Sequence, residues 1–120
     1  MRNVQFQHIN DHECRQFQAA VELAGRKWIA AILLAGARGA RRFSEYRESV
    51  DGISDRLLSA RLQELEAEGL IERVVTPTTP VMISYTPTED GIRLIALMHP
   101  LVLWSKDRAE RGHAQAAEIA

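Results

Sequence analysis

The sequence predicts a mainly α-helical fold that carries one small β-hairpin, an α+β arrangement. Residues 53–69 have helical periodicity, and the start and stop signals of a helix flank them. Residues 70–76 and 81–86 are rich in β-branched side chains, which favour strands. The proline-containing segment 77–80 between them is typical of a turn. A helix, a strand, a proline-flanked loop and a second strand form the outline of a winged helix-turn-helix, with the loop as the wing.

The helix predicted over residues 53–69 has one apolar and one polar face. Ser54 is a suitable N-cap, since its hydroxyl can accept from an unpaired backbone N–H, and Gly69 suits the left-handed position that ends a helix. The apolar stripe consists of Leu58, Leu62 and Leu65, with Leu57 at its edge. The opposite face carries Asp55, Arg56, Ser59, Ala60 and Gln63. This polar face suits the floor of a DNA groove.

The first two of the three helices predicted before residue 53 lie in the N-terminal part of the chain. Residues 12–25 form the first, with Phe17, Val21, Leu23 and Ala24 directed inward. The second begins at Trp28, is apolar on most sides and is expected to be the core helix. Gly36 and Gly39 bracket its end.

A short third helix and a long last helix complete the prediction. The third opens at Phe43, with Ser44 as its cap, and ends near Val50 before an Asp-Gly turn. The last begins after the N-cap Thr88, and Pro100 should kink it or divide it in two.

Composition limits the class of protein. With 120 residues, 46% hydrophobic and 26% charged, the chain is expected to be a single domain over residues 1–120. It contains no apolar run of membrane-spanning length and no signal-peptide pattern, and its lone cysteine fits a reducing cytoplasm. No phosphate-cradling glycine loop or nucleophile–base constellation is visible, so we expect neither an enzyme nor a cofactor.

Short motifs are spread along residues 14–106. They are Cys14, Gly25-Arg26-Lys27-Trp28, Arg42-Phe43-Ser44-Glu45, Gly52-Ile53-Ser54, residues 58–66, Glu68-Gly69-Leu70, residues 85–91 and Trp104. Together they resemble the motifs of HxlR-type transcriptional regulators. The resemblance implies a bacterial repressor or activator that binds double-stranded operator DNA as a two-fold dimer, with dimerisation helices at both ends of the winged helix-turn-helix.

The chain departs from the family pattern at three positions. Gln63 and Met82 stand where the family often has basic residues, which weakens phosphate contacts or changes the bases that are read. Pro100 is unusual in the last helix and is expected to affect dimer geometry.

Charge placement supports DNA binding independently of the resemblance. The chain as a whole has a net charge of -1, but residues 38–61 hold six arginines and four acids, a balance of +2. The alternative to DNA binding is that these arginines are ordinary solvated surface groups. The candidate DNA-binding residues are Arg41, Arg42, Ser54, Asp55, Arg56, Ser59, Gln63, Arg73, Thr76, Thr78 and Thr79.

The last helix holds more apolar surface than a small domain needs, which predicts a homodimer. The expected interface residues are Phe17, Leu94, Leu97, Met98, Leu101 and Trp104. The alternative is a monomer whose last helix covers only its own core. Residues 1–11 and 112–120 are expected to be loosely ordered.

Cys14 is a candidate regulatory residue. The resemblance implies that a cysteine near the dimer interface can sense oxidants or electrophiles, whereas most free cysteines act as small hydrophobes. His8 and His12 are spaced for a metal, but the diagnostic Cys/His pattern is absent, so no metal site is predicted.

Two further functions remain open at this stage. The first is a winged-helix protein-interaction module without DNA binding. The second is a DNA-binding regulator that senses a small apolar ligand at the dimer interface.

Overall fold

The computed structural model describes residues 6–113, which form six α-helices and one β-hairpin, closed by a π-helical turn. In chain order the elements are α1 (Asp11–Ala24), α2 (Ile29–Ala37), α3 (Phe43–Ser49), α4 (Asp55–Ala67), β1 (Ile71–Thr76), β2 (Met82–Pro87), α5 (Glu89–Met98), α6 (Pro100–Arg108) and the turn Ala109–His113. Loose ends are predicted at residues 1–11 and 112–120, of which residues 1–5 and 114–120 lie outside the described residues. The predicted fold class, a mainly α-helical winged helix-turn-helix, is confirmed.

The core forms where α2 meets the apolar stripe of α4. Ile29, Ile32 and Leu33 of α2 are completely buried. The predicted stripe of α4 is buried with them, and it consists of Leu58, Leu62 and Leu65. Leu57 lies at the edge of the stripe and is 39% exposed. The predicted periodicity of this helix is therefore confirmed.

Gly36 lies inside α2 and does not end the helix. Glycine is needed there because neighbouring side chains approach its backbone closely. A Cβ atom at this position would lie 2.6 Å from Cγ of Pro87 and 2.8 Å from the hydroxyl of Tyr46. The helix ends one residue later at Ala37, and Gly39 follows with a left-handed φ of 114°. Gly36 thus permits the close approach of α3 and the wing to the core helix.

The wing is an antiparallel hairpin anchored at its base. Its register runs from Ile71 opposite Pro87 to Thr76 opposite Met82. The hydroxyl of Tyr46 on α3 donates to the carbonyl of Tyr85 at 2.6 Å. Burial raises the pKa of Tyr46 to about 12, so this hydroxyl remains a donor at neutral pH.

Two sequence predictions about the helices are wrong. Phe17 and Val21 are not directed inward, because they are 68% and 51% exposed and α1 has no buried residue. Ser44 is not the N-cap of α3, because the helix already begins at Phe43 with Arg42 in the cap position. The carboxylate of Glu45 does the capping, accepting from the backbone N–H groups of Arg42 at 2.8 Å and Arg41 at 3.0 Å, and these bonds lower the pKa of Glu45.

The C-terminal region follows its sequence signals. The hydroxyl of Thr88 accepts from the backbone N–H of Gly91 at 3.0 Å, which confirms the predicted cap. Pro100 occupies the first turn of α6 and divides the predicted last helix into α5 and α6. Within residues 6–113, no helix is both long enough and apolar enough to cross a membrane.

The start of α5 packs so closely on the base of β1 that Gly91 admits no side chain. A Cβ atom there would lie 2.1 Å from the carbonyl oxygen of Leu70. We expect Gly91→Ala to lower the free energy of unfolding by about 3 kcal/mol, because the backbone must move, although alanine favours helix. Urea unfolding followed by circular dichroism measures this. The neighbouring exposed change Asp90→Ala is the control and should cost less than about 1 kcal/mol; a Gly91→Ala protein as stable as the control would contradict the packing argument.

Candidate nucleic-acid interface

The turn between α3 and α4 sets the start of the recognition helix. Gly52 adopts a left-handed φ of 85° in this turn. The hydroxyl of Ser54 then accepts from the backbone N–H of Leu57 at 3.1 Å, so the predicted N-cap is confirmed. Two helices joined by this tight turn form the helix-turn-helix.

The face of α4 opposite the buried leucines is open. Arg56, Ser59 and Gln63 are exposed and lie three and seven residues apart along the helix, so they share one side of it. None of these side chains takes part in a hydrogen bond or ion pair with another residue of the range 6–113. Their donors and acceptors are therefore available to base edges.

Asp55 is already paired within the fold. Its carboxylate accepts from Nη1 of Arg47 on α3, at 3.2 and 3.3 Å to its two oxygens. The pair links the start of α4 to α3 and offsets the negative charge of Asp55, although both side chains are largely exposed. Arg47 has no separate role in the sequence analysis, and the structure shows it as the partner of Asp55.

The two predicted phosphate-binding arginines differ in their surroundings. Nη1 of Arg41 donates to the carbonyls of Gly36 at 2.8 Å and Ala40 at 2.6 Å, so part of its guanidinium closes the C-terminus of α2. Arg42 extends from the start of α3 to the wing, where its Nη2 lies 3.7 Å from Sδ of Met82. The wing position that lacks a basic side chain of its own therefore has a guanidinium beside it.

The wing presents Arg73 and three threonines to solvent. Thr78 orders the tip, because its hydroxyl donates to the carbonyl of Pro80 and its backbone N–H donates to the carbonyl of Thr76, both at 2.8 Å. Thr76 and Thr79 are exposed beside it. Thr78 thus shapes the wing, and its hydroxyl oxygen can still accept a hydrogen bond.

A second open surface is apolar and lies on α1, α5 and α6. Leu97 is 78% exposed, Phe17 68% and Trp104 59%, with Leu101 also exposed. Leu94 and Met98 are half-buried against their own chain. A groove of about 200 Å³ runs between α1 and α5, and one of about 250 Å³ lies between α2 and the α5–α6 pair.

Cys14 is a free, exposed thiol on α1, one helical turn before Phe17. Among residues 6–113, no three or more His, Cys, Asp or Glu side chains are grouped so that they could hold a metal ion. His8, His12 and Cys14 therefore do not form a ligand set in this structure.

The fold and the open polar face of α4 define a winged helix-turn-helix protein. Comparison with known proteins carries this further. Residues 23–113 match the HxlR-like helix-turn-helix family, and this chain belongs to that family. The membership makes the chain a DNA-binding transcriptional regulator, as its sequence predicts.

Individual relatives agree with this assignment. The chain is 37% identical over 94 residues to the transcriptional regulator YvaP of Bacillus subtilis. The aligned region covers 78% of this chain and 87% of that protein. It is 36% identical over 99 residues to YodB of the same organism, covering 82% and 88%. The reduced form of YodB superposes with a TM-score of 0.74 over 82% of this chain and 97% of that one.

A third relative is a redox regulator. HypR in its oxidized form superposes with a TM-score of 0.69 at 28% identity, over 77% of this chain and 95% of that one. Neither alternative function, an interaction module without DNA or a sensor of a small apolar ligand, is favoured by these relatives. The family match begins at residue 23, so Cys14 and Phe17 precede it.

Proposed function

We propose that this regulator binds a two-fold operator as a homodimer, with α4 of each protomer in the major groove. The observation that carries the proposal is the alignment of Arg56, Ser59 and Gln63 on the one face of α4 that the core does not use. An α-helix fits the major groove, where arginine pairs with guanine and glutamine with adenine. The proposal includes that the chain folds as a single domain and acts in the cytoplasm.

The remaining DNA contacts position the helix rather than read sequence. Arg42 lies beside Met82 of β2, and Arg73 lies in β1. Both supply positive charge for phosphates. Arg41 contributes through the part of its guanidinium not used by Nη1, and Ser54, Thr76, Thr78 and Thr79 offer hydroxyls to the backbone. Asp55 acts indirectly by holding Arg47.

We expect Arg56→Ala and Gln63→Ala each to weaken operator binding by about 1–3 kcal/mol, because each removes a base-edge contact. Random-sequence DNA should be affected far less. Fluorescence anisotropy measures both affinities at two salt concentrations. One probe is the promoter DNA beside the gene that encodes this regulator, and the other is a duplex of random sequence. Arg111→Ala is the charge-matched control for Arg56→Ala, since Arg111 is exposed in the C-terminal turn Ala109–His113, outside α4 and the wing. Equal losses on the two DNAs would refute the base-reading assignment.

Homodimerisation is proposed from the apolar surface of α1, α5 and α6. Exposed apolar side chains as large as Leu97, Phe17 and Trp104 are typical of a protein–protein interface. Leu94, Met98 and Leu101 continue the same surface. A closed two-fold dimer doubles the DNA contacts and sets its half-sites about 34–36 Å apart.

We expect Leu97→Asp to shift the protein from dimer to monomer at micromolar concentration, because a buried, unpaired carboxylate opposes association. Sedimentation velocity reports the oligomeric state, and circular dichroism verifies that the fold survives. Val81→Asp is the control, since Val81 is 59% exposed but lies on the wing. A Leu97→Asp protein that remains a dimer would place the interface elsewhere.

Redox control through Cys14 is the finer part of the proposal. The thiol is exposed on α1, near Phe17 on the surface proposed for dimerisation. Two copies of Cys14 in a dimer can form an intersubunit disulfide, which transfers two electrons to the oxidant. Relatives described as a reduced regulator and as a redox regulator support this mode of control.

We expect an oxidant or a quinone to change operator affinity about tenfold in the wild-type chain and not at all in Cys14→Ser. The chain has one cysteine, so any response that persists in Cys14→Ser must be independent of thiols. Anisotropy with and without the oxidant, followed by reduction with dithiothreitol, measures the effect. An unchanged response in Cys14→Ser would exclude Cys14 as the sensor.

A further inference from the structure

The direction of α1 depends on a short connection, residues 25–28. No side chain of α1 is fully buried, and Leu23 near its end is only partly buried against the core, so packing alone holds this helix only weakly against its own chain. In the connection Trp28 adopts a left-handed φ of 80°, a conformation that costs a non-glycine residue about 1–2 kcal/mol. Such a conformation persists only where its surroundings hold it.

A cluster on α4 holds this connection. One carboxylate oxygen of Glu64 forms an ion pair with Nη1 of Arg26, and the other accepts from Nη1 of Arg61 at 3.3 Å. Nε of Arg61 also donates to the backbone carbonyl of Lys27 at 3.3 Å. We call Arg26, Arg61 and Glu64 the Glu64 cluster. It joins α4 to the connection at two points, a side chain and a carbonyl group.

Burial distinguishes the Glu64 cluster from an ordinary surface ion pair. The side chains of Glu64 and Arg61 are only 20% and 25% exposed, and that of Arg26 is 47% exposed, whereas both members of the Arg47–Asp55 pair are largely exposed, at 47% and 62%. Isolated exposed pairs contribute little, but a shielded carboxylate with both oxygens paired is costly to leave without a partner. The Glu64 cluster therefore favours one orientation of the connection over its alternatives.

We propose that Glu64 is a positioning residue for operator recognition, which fixes the orientation of α4 relative to α1 and thereby the separation of the two recognition helices in the dimer. The proposal rests on the proposed function, a homodimer on a two-fold operator. α1 carries Phe17 of the dimer surface, and α4 carries the base-reading face. The Glu64 cluster is the polar link between them.

The consequence is a preference for one half-site spacing. Moving one half-site by a single base pair shifts it by about 3.4 Å along the DNA and rotates it by about one tenth of a turn. A dimer with fixed recognition helices tolerates this poorly, whereas a dimer with a loosened connection adapts. Glu64 thus controls which spacings the dimer accepts without touching a base.

The test compares duplexes that differ only in spacing. The probe is the duplex that the wild-type chain enriches from a library of random sequences, together with versions in which one base pair is inserted or deleted between the half-sites. Glu64→Gln keeps the shape of the side chain and removes its charge, and Glu66→Gln removes the same charge from an exposed position on the same helix. Any general gain in DNA affinity from the lost charge therefore appears in both variants.

We expect Glu64→Gln to reduce the affinity ratio between the enriched and altered spacings about tenfold, while Glu66→Gln keeps the wild-type ratio. Arg26→Gln removes the other charge of the same ion pair, at its more exposed member, and should reproduce the effect. If Glu64→Gln does not fold, the spacing ratio of Arg26→Gln tests the proposal. A merely structural role lowers all affinities together and leaves the ratio unchanged.

An unchanged spacing ratio in the variants, or equal changes in Glu64→Gln and Glu66→Gln, would overturn the positioning role while leaving the proposed function intact. Failure of the wild-type chain to enrich any duplex would refute both. The two failures are therefore distinguishable by the wild-type measurement alone.

Discussion

Burial of the leucine stripe of α4 is the constraint on which the rest of the structure depends. Leu58, Leu62 and Leu65 are completely buried or nearly so, and burying each side chain is worth about 1.5–3 kcal/mol relative to exposure. Because successive residues are turned by about 100° around a helix, this burial sets the rotation of α4 about its own axis. The side that remains open is then fixed, and it is the side that carries Arg56, Ser59 and Gln63. The same packing that stabilises the core therefore selects the surface that we propose for DNA binding.

Features that depend on local interactions could be predicted from the sequence. The caps Ser54 and Thr88 each act on a backbone N–H three residues later, and Pro100 acts on its own helix, so the sequence window contains the whole interaction. Ser44 is not a cap because α3 already begins at Phe43, and the carboxylate of Glu45 accepts from the N–H groups of Arg41 and Arg42. The N-cap predicted for α3 lies too late in the chain, and the conformation of the chain before Phe43 decides where the helix begins.

Features that depend on packing between distant segments could not be predicted. Periodicity identified the apolar face of α1 but not what covers it, which is why Phe17 and Val21 were placed inward although this chain leaves them exposed. The contact of Arg42 with Met82 joins residues 40 positions apart. The absence of a basic residue at position 82 was visible in the sequence, but the neighbouring guanidinium became apparent only with the wing folded back on α3. The Glu64 cluster is of the same kind, apart from its Arg61–Glu64 pair, which has helical spacing.

The lack of buried side chains in α1 separates two demands on this chain. The helix-turn-helix and its wing keep their core whatever faces solvent on α1, since that core is built from α2, α4 and the residues packed on them. Substitutions of the exposed side chains of α1 therefore leave the core that holds α4 unchanged. The sequence of α1 is therefore free to diverge at little cost to the stability of the helix-turn-helix.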